Sequence, residues 1–209
     1  RIPDIAWLRL LYAYPNFLDE SLLGLIRDSE NICKYIDIPF QHVNQRLLQS
    51  MRRGKNGSAV RETVEKLRAA IPGLTLRTSL IVGFPGETER DFEELLDFVE
   101  EAQFERLGIF KYSEEEGTGA AQMAGALPED EKESRWQEVM DLQSAISRKK
   151  NEALIGTIQR VMIDNLDSDS GKFTGRTQAH APEVDGVVYI DGLTLSNRTV
   201  SFRLGDMID

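Results

Sequence analysis

The 209-residue chain contains only one cysteine, Cys33. No disulfide can form within it, so a reducing compartment, the cytosol, suits it best. Cys33 reads as a small buried hydrophobe. No apolar run approaches the roughly 20 residues needed to cross a bilayer, so no membrane role is expected. Basic residues are also short: 25 Lys and Arg stand against 35 Asp and Glu, a net charge of −10. Nucleic-acid binders draw affinity from neutralising phosphates, so RNA is a less natural partner than a basic protein. A signal peptide and a start methionine are absent too. Arg1-Ile2-Pro3-Asp4 reads as the continuation of a longer protein.

What is present is an ordinary globular composition, 41% hydrophobic and 29% charged. Over residues 1–127, strands and helices alternate. Short apolar runs at 7–12, 35–40, 74–82 and 106–112 read as strands, with Pro39 expected to end the second. Helices are expected at 19–29, 45–52 and 58–70. Another follows Thr88, whose hydroxyl, with Asp91 three places on, forms a capping signature. Repeated units of this kind imply parallel strands. Residues 128–155 read as one long connecting helix carrying Trp136, Val139, Leu142 and Ile146. From 156 to 209 the pattern becomes short strands at 157–163, 172–177, 187–190 and 199–203. Turn signals Asp169-Ser170-Gly171, Asp185-Gly186 and Asp191-Gly192 separate them. The expected fold class is α/β: a partial (β/α) barrel, then a small antiparallel β-barrel.

In parallel β/α folds, functional groups collect where strands end. Three unusual segments lie there: Pro39-Phe40-Gln41-His42, Gly83-Phe84-Pro85-Gly86-Glu87-Thr88 and Tyr112-Ser113-Glu114-Glu115-Glu116-Gly117-Thr118. Glycines in the second allow close backbone approach to a flat ligand, and the next helix offers free N–H groups. Alone, each segment also has a plain reading. The turn joins a strand to a helix, His42 is a loop histidine, Arg53 complements a helix dipole, and the glutamates are a solvated loop.

Together the segments resemble the radical S-adenosylmethionine (SAM) methylthiotransferase family. Tyr35-x-Asp37-x-Pro39-x-Gln41-His42 with Leu47-Leu48-x-x-Met51-x-Arg53 is similar to the family's fourth barrel strand and helix. Thr78-Ser79-Leu80-Ile81-Val82-Gly83-Phe84-Pro85-Gly86-Glu87-Thr88 resembles the fifth strand. Phe110-x-Tyr112-Ser113 with Gly117-Thr118-x-Ala120-Ala121 resembles the sixth. The terminal β-region is similar to the TRAM module, an OB-like barrel. Gln41-His42 and Glu115-Glu116-Gly117-Thr118 resemble the RimO type, which methylthiolates an aspartate β-carbon of small-subunit ribosomal protein twelve. Alternatives are a MiaB-type tRNA methylthiotransferase and a non-catalytic protein- or RNA-binding module.

The resemblance implies SAM as cofactor and two 4Fe–4S clusters in a full-length parent. One cluster generates the hydrogen-abstracting radical and the other delivers sulfur, while the protein binds, orients and excludes water. Gln41 and Arg53 would meet the polar end of SAM, Arg53 through its forked donors. Ser79 would face the ribose or methionyl part, and the backbone of Val82, Gly83 and Phe84 would flank the adenine. His42, Glu115 and Glu116 are candidates for the substrate side. No catalytic residue is assigned. The CxxxCxxC motif is absent, so no metal or cluster is expected in this chain, and the chain alone is expected to be inactive. Gly205-Asp206-Met207-Ile208-Asp209 reads as the start of a last, unfinished strand.

Overall fold

The computed structural model describes residues 5–53, 57–166, 171–190 and the backbone of 199–203. The first part is a parallel sheet in the order β1-β2-β3-β4, formed by Leu8–Leu10, Ile32–Gln41, Thr75–Val82 and Arg106–Lys111. Helices α1 (Glu20–Asp28), α2 (Gln45–Ser50), α3 (Ser58–Ala70) and α4 (Glu89–Ala102) lie between the strands, and α5 (Glu129–Glu152) follows β4.

Side chains alternate across each strand, so one face is apolar and the other mixed. Ile36 and Ile38 of β2, Leu76 and Leu80 of β3 and Ile109 of β4 join the main core with helix residues Leu23, Leu67, Leu95, Val99, Val139 and Ile146. Each such fully buried side chain is worth about 1.5–3 kcal/mol over its exposed state. Phe98 packs edge-on against Phe40 and Phe104, with centroids 6.4 and 5.4 Å away. α5 belongs to this core, because Val139 and Ile146 sit in it. Two α5 side chains also cap sheet-side carbonyls: Trp136 Nε1 donates to Ile109 O (3.0 Å) and Gln143 Nε2 to Phe104 O (2.9 Å).

Pro39 does not end β2, as had been expected. The strand continues to Gln41, with its register against β3 shifted between Ile38 and Gln41. The Thr78 hydroxyl covers the irregularity. It donates to Ile38 O (2.7 Å) and accepts from Phe40 N (3.3 Å), replacing ladder bonds that proline cannot make. Thr88 caps α4 in the full reciprocal arrangement with Asp91, as read from sequence.

The second part is an antiparallel sheet in the order β7-β6-β5-β8: Val188–Ile190, Phe173–Arg176, Ile158–Leu166 and Thr199–Arg203. Among the described residues its two outer strands do not pair with each other. Residues 169–170, the Asp191-Gly192 turn and the final 205–209 lie outside the described residues.

The segment 177–186 joins the two parts. It packs on the mixed face of the parallel sheet, near the N-terminal ends of the strands. Ala181 meets Cys33, Tyr35 and Trp7, and Arg9 Nη2 donates to Gln178 O (2.9 Å). Asp185, read as a turn residue, has a side chain only 3% exposed. Its Oδ2 accepts from Tyr35 Oη and from Ala181 N, both at 2.7 Å, and its Oδ1 lies 3.8 Å from Arg77 Nε and 4.0 Å from Arg106 Nε. Arg77 also donates to Asp37 Oδ1 (2.9 Å). Burial and the bond to Asp185 push the Tyr35 phenol well above its ordinary value.

Candidate functional site at the strand ends

Because β2, β3 and β4 are parallel neighbours, their following loops emerge on one edge. The backbone there is unusual. Gln41 has φ +73°, Gly83 +74° and Gly86 +80°. Left-handed geometry suits glycine and costs a side-chain-bearing residue such as Gln41 about 1–2 kcal/mol. The loops are tied to one another. Tyr112 N donates to Val82 O (2.9 Å), the Tyr112 ring packs edge-on against Phe84 (5.3 Å), and Lys132 Nζ donates to Tyr112 O (3.2 Å). Gly86 N donates to Gly125 O (2.7 Å), and Arg46 Nη2 donates to Gly86 O (3.0 Å).

Ser79 is half-buried on the mixed face of β3, opposite Gly108 of β4. A methyl group at Gly108 would press on Phe110 (3.3 Å) and lie 3.6 Å from Ser79 Oγ, so the glycine keeps the surface beside Ser79 open. Val82 and Phe84 are buried. They offer a ligand their backbone, the part assigned to the adenine. Arg53 is exposed just after α2, its own N–H bonded to Leu48 O (2.8 Å). Its neighbour Arg52 reaches the loop after β4, for a Cβ at Gly119 would lie 3.9 Å from the Arg52 guanidinium. Glu115 and Glu116 are exposed in that loop. The residues Gln41, Ser79, Val82, Gly83 and Phe84 thus lie on adjoining strands and their ends. Arg53, Glu115 and Glu116 sit in the outer loops.

His42 has no exposed side-chain surface. Nδ1 accepts from Asn44 N (2.9 Å), which leaves the ring proton on Nε2. That atom points to Glu87 Oε2 at 3.7 Å, beyond a full hydrogen bond. Glu87, also fully buried, accepts from Gly83 N (3.0 Å) through Oε2 and from Arg135 Nη1 (2.6 Å) through Oε1. Burial alone would raise the Glu87 carboxyl. The His42 ring, Arg135 and Gly83 N–H outweigh it and hold the group below its ordinary value. Arg135 lies over the Phe92 ring (5.1 Å) and also pairs with Glu89 (3.2 Å) and Glu131 (2.5 Å).

The sequence reading missed Glu87 and Arg135. Arg135 carried a signal: it shares a helical stripe with Val139, Gln143 and Ile146, all buried, and a charge on such a stripe requires a buried partner. No group of three or more His, Cys, Asp or Glu able to hold a metal occurs among the described residues. Cys33 is buried and its thiol is pushed up by burial, which suits packing and not thiolate ligation.

Comparison with known proteins bears on the fold. Residues 5–99 match the radical SAM superfamily and residues 155–209 match the TRAM domain. The structure is similar to that of coproporphyrinogen III oxidase (HemN) from Escherichia coli, a radical SAM enzyme. The TM-score is 0.55 at 14% identity, covering 82% of this chain and 44% of that one, a likeness of fold alone. In fold and in these matches the first part is similar to a radical SAM α/β domain and the second to a TRAM domain.

The sequence is 46% identical to the ribosomal protein uS12 methylthiotransferase RimO of Pelobacter propionicus, over 100% of this chain and 47% of that protein. It is 51% identical to the RimO of Pelotomaculum thermopropionicum, over 88% of this chain and 41% of that protein. The chain is thus similar to uS12 methylthiotransferases of the RimO type, and it spans a little under half the length of these relatives.

Proposed function

We propose that the full-length protein methylthiolates the β-carbon of an aspartate in ribosomal protein uS12, using SAM and two 4Fe–4S clusters. The observation that carries this reading is the 42–51% identity to uS12 methylthiotransferases along the chain. Bound SAM and clusters supply the radical and sulfur chemistry; these residues bind, orient and exclude water. Gln41 and Arg53 hold the polar end of SAM, Ser79 meets its ribose or methionyl part, and the backbone of Val82, Gly83 and Phe84 lines the adenine. The cluster ligands come from the parent outside this chain, so these 209 residues alone are inactive.

The exposed Glu115 and Glu116 favour a basic protein loop over tRNA phosphates, as does the net charge of −10. Among the described residues no helix is long and apolar enough to cross a membrane, and the reading places the enzyme in the cytoplasm. The test presents reconstituted full-length protein and SAM with uS12 and, separately, with tRNA. The expected result is an SCH3 group replacing hydrogen on one uS12 aspartate. Modified tRNA would move the protein to the MiaB type, and binding of uS12 without turnover would leave a docking module. In the same protein, Arg53→Ala weakens SAM binding; an unchanged affinity removes that role from Arg53.

A further inference from the structure

Two edges of the cradle, Gln41 after β2 and the Gly83 turn after β3, meet behind the strand ends in one buried group of charged side chains. Glu87 uses one carboxylate oxygen to hold the Gly83 N–H (3.0 Å) and the other to take Arg135 Nη1 (2.6 Å). Its Oε2 also faces His42 Nε2 (3.7 Å), and His42 is the next residue after Gln41.

Gly83 has free choice of backbone conformation, and Gln41 is held in one that side-chain-bearing residues disfavour. Something must select both geometries. A carboxylate with no exposed surface is costly to bury unless every oxygen is engaged, and here each oxygen is directed at one edge or at its anchor. The anchor is rigid. Arg135 comes from the second turn of a packed helix, lies over Phe92 and pairs on its outer side with Glu89 and Glu131.

We propose that Arg135 is a positioning residue for SAM binding. Acting through Glu87, it fixes the Gly83 turn directly and the Gln41 strand end by way of His42. The inference rests on the reading of these strand ends as the SAM cradle and extends it to a buried residue of α5.

The test measures SAM affinity by isothermal titration in the full-length, cluster-loaded protein and in its Arg135→Met, Arg135→Lys and Glu87→Gln forms, with melting temperature recorded in parallel. Loss of one charge-assisted bond predicts that Arg135→Met weakens SAM binding roughly tenfold or more. Arg135→Lys, whose ammonium can still meet Glu87, recovers most of that loss. Glu87→Gln keeps the volume but removes the charge, and it weakens binding as Arg135→Met does. Lower melting temperatures with wild-type SAM affinity would overturn the proposal, since Arg135 would then be a stability residue only. If Arg135→Met does not fold, Glu87→Gln decides alone: unchanged affinity overturns the proposal and roughly tenfold weaker binding supports it. Wild-type protein that binds no SAM would instead remove the cradle reading beneath it, a distinct result.

Discussion

The two ends of the parallel sheet both bury charge, but they use it differently. At the C-terminal ends, Glu87 and Arg135 sit behind turns built from left-handed residues, and the carboxylate holds a backbone N–H of its own loop. At the N-terminal ends the buried carboxylate of Asp185 is brought in from the terminal sheet to meet Tyr35, Arg77 and Arg106. One arrangement ties down a local turn. The other fastens one part of the molecule to another. A buried ion pair stabilises little by itself, because desolvation offsets most of the attraction. What it does well is fix one geometry, and the two ends show two uses of that property.

The comparison breaks most sharply at Asp185. Asp185→Ala leaves the Tyr35 hydroxyl and the Ala181 N–H without their acceptor and returns Arg77 to Asp37 alone. A loss of about 3–5 kcal/mol is expected. It should appear as protease cleavage between residues 153 and 157 while the parallel sheet stays protected. Unchanged cleavage and melting would show that the floor contact does not hold the terminal sheet.

A smaller effect follows from pH. Burial, with Arg106 and Arg9 nearby, pushes His180 down to about 4 from an ordinary 6.5, against the opposing pull of Asp185. The folded protein therefore favours the neutral ring more than the unfolded chain does. That contribution is complete above pH 6.5 and is lost as pH falls to about 4, up to about 3 kcal/mol. Glu87 is held below its ordinary 4.5, so its contribution is lost only at lower pH. Acidification should thus loosen the floor before the mouth. Trp7 lies at the floor and Trp136 beside β4, so fluorescence of Trp136→Phe and Trp7→Phe proteins separates the two transitions. Coincident transitions would contradict the ordering. Smallest is Thr88→Ala, which removes the α4 cap and should cost about 1 kcal/mol in thermal unfolding; no change would mean that Asp91 caps the helix unaided.

The local parts of this architecture were legible in the sequence. β3, the Thr88 cap and the long helix carry periodic and capping signals, and they form close to where those signals lie. That Gln41 and the Gly83 turn lie at the ends of adjoining strands on one edge also followed from parallel order, which brings successive loops to one side. What escaped was non-local. Pro39 looked like a strand end because the rescuing Thr78 hydroxyl lies 39 residues away, on the neighbouring strand. His42 looked like a loop residue because its partner, Glu87, arrives from a different turn. Asp185 looked like half of an Asp-Gly turn because nothing near it in sequence reveals Tyr35 or Arg77. A buried charge shows only half of its pair in any local window.

The most direct test of the central claim is amide hydrogen exchange on the full-length protein with and without SAM. The account predicts new protection at Gln41 and over Val82–Phe84, with little change at Thr177–Gly186. Protection confined to the terminal sheet, with the strand ends unaffected, would contradict it.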